Sequence, residues 1–466
     1  MSTPSRPRPE PGRIHKISMD ERKTSFTEVS RGFPPEEAVK EAARCLQCKN
    51  APCSKGCPAG IDVREFVRFI REQNFQSSID KIRESNSLPG VCGRVCPQEE
   101  QCQKACVFNA KKIPIQIGYL ERFVADWELA HGKRQPARSA APKEKVAVIG
   151  AGPAGLTCAA DLVREGFDVH LFEALHVAGG VLMYGIPEFR LPKDIVKKEA
   201  DYIGSMGVKI ETDAVVGRTY TIDELRRDGY KAFFIGVGAG LPILLNIPGE
   251  NANGVYSANE FLTRVNLMKG YRFPEYDTPV RVGKRVGVLG GGNVALDCAR
   301  SALRLGAESV TLLYRRTRDE MPARQEEIEN TEEEGIHLQF LVTPREILSD
   351  DKGNVRGLRL LKNVLGEPDA SGRRSPVPQP GTDFELPLDT VIVAVGTAVN
   401  PLLLSTMEGL ERTKKGYIKV GEDMRTSLPD VFAGGDIVSG SATVILAIQQ
   451  ARTAARAITH YLRNGK

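Results

Sequence analysis

The sequence of 466 residues predicts an α/β protein in which a helical N-terminal domain precedes two related strand–helix–strand domains. Three observations predict this fold class. Eight of the ten cysteines lie between Cys45 and Cys106, so a cysteine-rich head precedes a cysteine-poor body. The segment 131–145 is rich in Pro, Ala and charged residues, as interdomain linkers are. Beyond it, two glycine-rich turns each separate a short apolar strand from a helical pattern.

The composition and charge exclude several classes of protein. The chain is 41% hydrophobic and 26% charged, and its net charge of +5 is too small to indicate nucleic acid or a membrane surface as the partner. No apolar run approaches the roughly 20 residues of a membrane helix, and residues 1–13 lack the apolar core of a signal peptide. We interpret those residues as a flexible arm and expect a cytoplasmic protein, in which structural disulfides are disfavoured.

Helical patterns fill the cysteine-rich head. Residues 34–45 begin with prolines and an acidic turn, and residues 113–130 carry a further helical pattern at the end of the head. Between them, the stretch 61–73 contains Asp62 and Glu65, which are spaced to cap a helix. Its apolar residues recur on one helical face: Val63, Phe66, Val67 and Ile70.

The first glycine-rich turn is GAGPAG, residues 150–155, between the strand 145–150 and a helix. In a dinucleotide-binding turn the first glycine permits the tight bend, the second lets the backbone approach a pyrophosphate, and the third allows close helix–strand packing. Glu173 ends the next strand, where a carboxylate can bind ribose hydroxyls. The predicted site comprises Gly150, Gly152, Pro153, Ala154, Gly155 and Glu173.

A C-terminal motif favours FAD as the dinucleotide of this site. In VFAGGDIV, Gly435 and Asp436 follow a strand, and a helical pattern begins a few residues later. An aspartate at a strand end can hydrogen-bond a ribityl hydroxyl, while a helix N-terminus can face the electron-rich edge of a flavin. The alternative is that Asp436 only forms a turn.

The second glycine-rich turn, GGGNVA, opens another strand–helix–strand unit. It predicts a second nucleotide site at Gly290, Gly292, Asn293 and Val294. The following strand ends at Arg315 and Arg316, where an NAD site would carry Asp or Glu. Because guanidinium groups bind a 2′-phosphate through paired hydrogen bonds, NADP(H) is favoured. The alternative is a solvated arginine cluster of the kind common on surfaces.

Sites for FAD and NADP(H) on two such domains predict a pyridine nucleotide–flavin oxidoreductase. Hydride passes between the two cofactors, which carry the chemistry themselves, so we assign no catalytic residue. Flavoproteins that reduce disulfides need a pair of redox cysteines, but Cys158 and Cys298 each stand alone in a helical segment, where core packing is the expected role. Electrons must therefore leave the flavin by another route.

The cysteine-rich head offers that route. Its two runs are C-x2-C-x4-C-x3-C-P, starting at Cys45, and C-x3-C-P-x4-C-x3-C, starting at Cys92. Zinc sites usually show two C-x2-C pairs or a Cys/His mixture, whereas a dense run that ends in Cys-Pro is closer to ferredoxin spacing. The spacing therefore favours two [4Fe–4S] clusters, with a zinc module as the alternative.

These motifs carry a family resemblance. The chain resembles the small subunit of NADPH-dependent glutamate synthase in both glycine-rich turns and in the segments CLQCKNAPCSKGCP, CGRVCPQEEQCQKAC, PIQIGYLERF, YGIPEFRLP, YRRTRDEMPA and AGGD. It is also similar to the N-terminal part of dihydropyrimidine dehydrogenase and to the larger subunit of electron-bifurcating ferredoxin–NADP transhydrogenase. The resemblance runs from about Glu36 to the C-terminus.

The resemblance implies an N-terminal helical domain with two [4Fe–4S] clusters, followed by two Rossmann-like domains. The NADPH domain is then inserted into a split FAD domain. The implied limits are 1–140 for the helical domain, 141–265 and 396–466 for the two parts of the FAD domain, and 266–395 for the NADPH domain.

The resemblance also implies a ligand set for each cluster. One cluster takes Cys45, Cys48, Cys53 and Cys106, and the other takes Cys57, Cys96, Cys102 and Glu121. Cys92 is then a spare, although its spacing alone would enlist it, and the alternative for Glu121 is a surface salt bridge. The same resemblance adds Gly180, Arg190 and Thr443 as FAD-binding residues, and Arg324 beside the two arginines at the 2′-phosphate.

The function implied is an NADPH-dependent oxidoreductase that passes electrons between NADP(H), FAD and two clusters, to or from a partner subunit. The sequence does not set the direction of flow, because cluster potentials span a wide range. We find no amidotransferase domain or FMN barrel in this chain, so glutamate synthesis would need the partner. Two alternatives stay open: the large subunit of an electron-bifurcating, NADH-dependent ferredoxin–NADP oxidoreductase, and a flavoprotein with a structural zinc module for docking.

Overall fold

The computed structural model describes residues 10–132 and 144–465. Most of the predicted arm and of the predicted linker, residues 1–9 and 133–143, lie outside the described residues. The described chain forms a helical domain, two five-stranded parallel sheets and a smaller antiparallel sheet.

The helical domain contains the cysteine-rich head. Its predicted helix at 61–73 is observed at Val63–Arg71, and the four apolar residues predicted to share a face are all buried. Asp62 caps this helix by accepting a hydrogen bond from the Glu65 amide. The domain comprises β1 (His15–Lys16), α1 (Met19–Thr24), β2 (Ser30–Gly32), α2 (Pro35–Ala43), α3 (Pro52–Lys55), α4 (Val63–Arg71), α5 (Phe75–Arg83), α6 (Pro89–Val95) and α7 (Ile117–His131).

The first parallel sheet contains the GAGPAG turn and takes strands from two distant parts of the chain. Its strands are β3 (Lys145–Ile149), β4 (Asp168–Phe172), β5 (Lys209–Glu211), β6 (Tyr230–Ile235) and β18 (Val431–Ala433), in the order β18-β6-β3-β4-β5. Its helices are α8 (Pro153–Arg164), α9 (Val181–Tyr184), α10 (Lys193–Ser205), α11 (Ile222–Arg227), α16 (Asp436–Ser439) and α17 (Val444–Asn464).

The second parallel sheet contains the GGGNVA turn. Its strands are β8 (Val255–Ser257), β9 (Arg285–Leu289), β10 (Ser309–Tyr314), β11 (His337–Phe340) and β16 (Thr390–Val393), in the order β11-β10-β9-β16-β8. Its helices are α12 (Ala258–Leu262), α13 (Asn293–Arg304) and α14 (Gln325–Glu333). The antiparallel sheet of β12 (Val342–Ser349), β13 (Val355–Pro368), β14 (Arg374–Pro378) and β15 (Phe384–Pro387) follows β11.

The chain leaves the first sheet and returns to it through one short ribbon. β7 (Leu241–Pro242) and β17 (Thr397–Ala398) pair in antiparallel fashion, and α15 (Pro401–Leu404) follows on the return. The second sheet therefore lies inside the first domain in sequence, as an inserted domain does. Because β8 pairs with β16, residues 255–257 belong to the inserted sheet, although the predicted limit of 265/266 assigns them to the first domain.

The helical domain packs on the first sheet through a shared apolar core. Leu88, just before α6, and Val91 of α6 pack with Cys92 and Cys96 in one cluster with Val148 of β3. In the N-terminal segment, α1 instead lies against the inserted domain, where the buried Arg22 pairs with Glu333 and Glu334 at the end of α14.

Candidate redox and nucleotide sites

The GAGPAG turn has the geometry of a turn that approaches a ligand. A Cβ on Gly155 would lie 1.8 Å from the Gly150 carbonyl oxygen, and one on Gly150, whose φ is +96°, would lie 2.6 Å from the Gly236 oxygen. Those two glycines are required by the fold itself. A Cβ on Gly152 would meet nothing within 4 Å, so open space lies at the N-terminus of α8, where a pyrophosphate fits.

Glu173 holds the same turn from the end of β4. Its buried carboxylate accepts hydrogen bonds from the Ala151 amide at 2.7 Å and the Leu175 amide at 2.8 Å. Burial raises the pKa of Glu173, and the amide hydrogen bonds oppose that rise. The carboxylate therefore lies against the dinucleotide turn, where the predicted ribose contact requires it.

Two other predicted loops converge on this turn. A Cβ on Gly180 would lie 2.9 Å from Gly152 Cα, and one on Gly435 would lie 3.1 Å from Ala154 Cβ. Asp436, the first residue of α16, accepts a hydrogen bond from the Ala442 amide at 3.1 Å. Three segments distant in sequence thus meet at this one turn, and their contact with FAD stays a prediction.

Two predicted FAD-binding residues have other partners in this structure. Thr443 caps the N-terminus of α17 by accepting a hydrogen bond from the Leu446 amide. Arg190 is buried and points to the inserted domain, where Nη1 donates to both Asp297 oxygens at 2.7 Å and Nε lies 3.1 Å from Glu327. Their contact with a flavin stays a prediction.

The GGGNVA turn repeats the design of the first one. Gly290 has a φ of +147°, and a Cβ there would lie 2.4 Å from the Ala394 oxygen. A Cβ on Gly292 would meet only Pro322, at 3.8 Å, so the N-terminus of α13 is open as well. Asn293 is the first residue of α13, and Val294 beside it is exposed. The turn fits a second nucleotide.

The three predicted arginines do not come together. Arg315 is exposed at the end of β10. Arg316 is buried, donates from Nε to the Arg374 carbonyl at 2.7 Å and pairs with Asp369 of the antiparallel sheet. Arg324 extends toward the helical domain and not toward the other two. Of the three side chains, that of Arg315 is the one open to solvent beside the turn.

The predicted cluster ligands fall into two groups. Cys45, Cys48, Cys53 and Cys106 line one pocket, whose other walls are mostly apolar. Burial raises the pKa of the Cys53 thiol to about 11, and the neighbouring Cys45 and Cys106 add to the rise. All four residues of the first predicted ligand set therefore face a common space.

The second group adjoins the end of α6, where Cys96 lies, and α7, which carries Glu121. The thiols of Cys57, Cys96 and Cys102 and the Glu121 carboxylate are close enough to interact electrostatically. Glu121 is buried, which excludes the surface salt bridge, and it accepts a hydrogen bond from Asn86 Nδ2 at 2.8 Å. Burial raises the pKa of Glu121 to about 8.

Cys92 adjoins this second group without belonging to the predicted set. It is fully buried, and its thiol interacts with those of Cys96 and Cys57 and with Asn86. The sequence does not identify Asn86 as a site residue, because Ser85 and Ser87 on either side of it are typical of an ordinary turn. Cys158 and Cys298 are fully buried in α8 and α13, one in each nucleotide-binding domain.

The donor chemistry of both groups suits iron–sulfur clusters. Cysteine thiolates are the usual ligands of [4Fe–4S] clusters, and a mostly apolar wall limits solvent access to the metal. Among residues 10–132 and 144–465, no group of three or more His, Cys, Asp or Glu side chains is arranged to hold a single metal ion.

Comparison with known proteins gives the class. Residues 22–133 match the family described as dihydropyrimidine dehydrogenase domain II, 4Fe-4S cluster, and residues 144–455 match the pyridine nucleotide-disulphide oxidoreductases. FprA from Mycobacterium tuberculosis, solved in complex with NADPH, shares the fold over 70% of this chain and 85% of its own, with a TM-score of 0.57 and 22% identity. The chain is a pyridine nucleotide oxidoreductase with an N-terminal 4Fe-4S domain.

Individual relatives narrow the class. The small chain of NADPH glutamate synthase from Escherichia coli K12 is 36% identical over 95% of this chain and 95% of its own length. The beta subunit of an NADP(+)-dependent formate dehydrogenase from Moorella thermoacetica is 43% identical over 89% of this chain, which spans 60% of that subunit. The chain belongs to the family of the glutamate synthase small chain. Among the described helices, none has the length and apolar character needed to cross a membrane.

Proposed function

We propose that this protein passes electrons between NADP(H) and a partner subunit by way of FAD and two [4Fe–4S] clusters. The observation that carries the proposal is the division of the ligand residues into two groups at different depths. When bound, FAD converts hydride transfer into single-electron transfer, and the clusters carry single electrons. The protein supplies binding sites, their order in space and the exclusion of water.

The packing supports an order for the two groups. Cys96, and Cys57 at its edge, belong to the apolar core that also holds Ala151 and Ala154 of the GAGPAG turn. Cys45 and Cys53 border only the core of the helical domain, which Cys57 and Cys102 border as well. The group with Glu121 thus lies next to the flavin site, and the group with Cys45 lies farther along the route to the surface.

The outer group has a surface suited to a partner. Leu46 and Val107 line its pocket and are 51% and 45% exposed, so two neighbouring apolar side chains are available to a partner at this site. The two segments that carry its cysteines, 44–56 and 104–116, contain no Asp or Glu. Their lysines are exposed: Lys49, Lys55, Lys104, Lys111 and Lys112. This face fits a partner with an acidic surface around its own redox centre.

The experiment that tests the proposal is anaerobic purification followed by cofactor analysis and NADPH titration. We expect about eight iron atoms per chain, as two cubane clusters require, and one FAD. Addition of NADPH under anaerobic conditions should decrease the visible absorption of both the flavin and the clusters. A colourless protein that contains zinc would contradict the proposal and favour the docking module.

A second experiment tests the partner face. Replacing Lys111 and Lys112 with Glu should slow electron transfer to the copurified partner and weaken its dependence on salt, since exposed charges act on association rates. NADPH-dependent reduction of a small dye that needs no docking should stay unchanged. Equal slowing of both reactions would contradict this face as the docking surface.

A further inference from the structure

Arg324 connects the second nucleotide turn to the helical domain. It is the residue before α14 in the inserted domain, and its side chain is 6% exposed. Its backbone amide donates to Asn293 Oδ1 at 3.1 Å, and Asn293 is the first residue of α13 in the GGGNVA turn. One end of this residue is therefore tied to the place where the nucleotide binds.

The guanidinium group of Arg324 lies in the helical domain beside the inner ligand group. Nη1 donates to the Arg94 carbonyl at 2.9 Å and Nη2 to Gln98 Oε1 at 3.0 Å. Two carboxylates also accept from the guanidinium group, Glu99 from Nε at 3.3 Å and Glu326 from Nη2 at 3.0 Å. Arg94 and Gln98 are each two residues from Cys96 in the sequence.

Gln98 extends the contact to both ligand-bearing helices. Its backbone amide donates to the Cys96 carbonyl at 2.9 Å, and its side chain packs so closely on Gly118 of α7 that a Cβ there would lie 2.2 Å away. The same helix carries Glu121 one turn later. A displacement of Arg324 would thus be transmitted to two of the four predicted ligands.

We propose that Arg324 is a positioning residue that sets the reduction potential of the inner cluster and makes that potential sensitive to NADP(H). A cluster gains negative charge on reduction, so a buried cation beside it favours the reduced state. Nucleotide binding at Asn293 acts on the same guanidinium group through the Arg324 backbone. This inference rests on the proposed function, because it requires the inner cluster to be bound.

The test is a reductive titration of the holoprotein followed by EPR, with and without NADP⁺. In Arg324→Gln we expect the potential of one cluster to fall, while the other cluster keeps its wild-type potential. In Arg324→Lys, which keeps the charge but loses the planar donor set, the fall should be smaller. NADP⁺ should shift the potential of the same cluster in the wild type but not in Arg324→Gln. The signal belongs to the inner cluster if Glu121→Ala alters it.

Arg318→Gln is the matched control. Arg318 lies six residues earlier in the inserted domain and pairs with Glu332 on the surface, so both potentials should be unchanged. Equal potentials in Arg324→Gln and the wild type, or a retained response to NADP⁺, would overturn the inference. A holoprotein without iron would instead contradict the proposed function, so the two failures are distinguishable. If Arg324→Gln does not fold, the same comparison is made with Arg324→Lys.

Discussion

The buried carboxylate of Glu334 offers a test of how the inserted domain is held together. Both oxygens accept hydrogen bonds from Arg300 and Arg304 of α13, at 2.7 to 3.0 Å, and Arg22 adds a contact from the N-terminal segment. Burial by itself would raise the pKa of Glu334, but the two arginines outweigh it and lower the pKa from 4.5 to about 2. This lowering of the pKa corresponds to roughly 3 kcal/mol of stability at pH 7.

Glu334→Gln keeps the shape of the side chain and removes its charge, which leaves the buried Arg304 without a counter-ion and Arg300 with Glu327 alone. Breaking a buried pair in this way typically costs about 3–5 kcal/mol, in agreement with the pKa. The contribution is complete above pH 4.5 and is lost as the pH falls toward 2, because the pKa of the folded state is the lower one.

Hydrogen exchange of α13 is the suitable assay, since a protein of several domains does not unfold in one step. At pH 7 the variant should exchange amides of Asn293–Arg304 on the order of 100-fold faster, which is about 3 kcal/mol at a factor of ten per 1.4 kcal/mol. Glu332→Gln, which removes an exposed pair with Arg318, is the control and should change protection less than about threefold. If amide exchange in Glu334→Gln stayed within threefold of the wild type, the Glu334 carboxylate would not stabilise α13 as proposed.

Three further predictions concern the cofactor sites. Glu121→Ala should alter the EPR signal of one cluster while Cys92→Ser should not, and the reverse result would exchange their roles. Gly152→Ala should fold like the wild type but lose FAD, because its Cβ meets nothing in the protein. Gly155→Ala should give little folded protein, because its Cβ would lie 1.8 Å from a carbonyl oxygen. Equal FAD content in Gly152→Ala and the wild type would contradict this prediction. Arg315→Ala should raise KM for NADPH at least tenfold and leave KM for NADH unchanged, because it removes one charged hydrogen bond worth about 1.5–3 kcal/mol. Parallel changes in KM for both nucleotides would exclude a contact between Arg315 and the 2′-phosphate.

Much of the fold follows from local patterns in the sequence. The helix Val63–Arg71 could be predicted because its buried residues repeat at the helical period, and both nucleotide turns because glycine is needed where a Cβ would meet a carbonyl oxygen. β8 is a different case. It has three half-buried residues and no alternation, so its membership of the inserted sheet depends on pairing with β16, 135 residues later in the chain.

The side-chain partners of the arginines could not be predicted, because they are set by the packing of domains. Arg190 pairs with Asp297 and Arg324 with Gln98, at sequence separations of 107 and 226 residues. The family resemblance assigns Arg190 to FAD and Arg324 to the 2′-phosphate through the motifs that contain them. A motif, however, does not specify the direction of a long, flexible side chain. The positions of the cysteines are easier to predict, since a short side chain stays close to its backbone. Cys45, Cys48, Cys53 and Cys106 line one pocket, and Cys102 has Cys57, Cys96 and Glu121 as electrostatic neighbours. Their role as cluster ligands stays a prediction.

EPR of the anaerobically purified protein tests most directly whether one chain holds two distinct clusters that exchange electrons with NADP(H). After reduction with excess NADPH in the presence of FAD, the account predicts signals that integrate to about two spins per chain, with cluster-type g values, and only one of them altered by Glu121→Ala. Signals from a single cluster, or a protein that holds zinc and gives no cluster signal, would contradict the account.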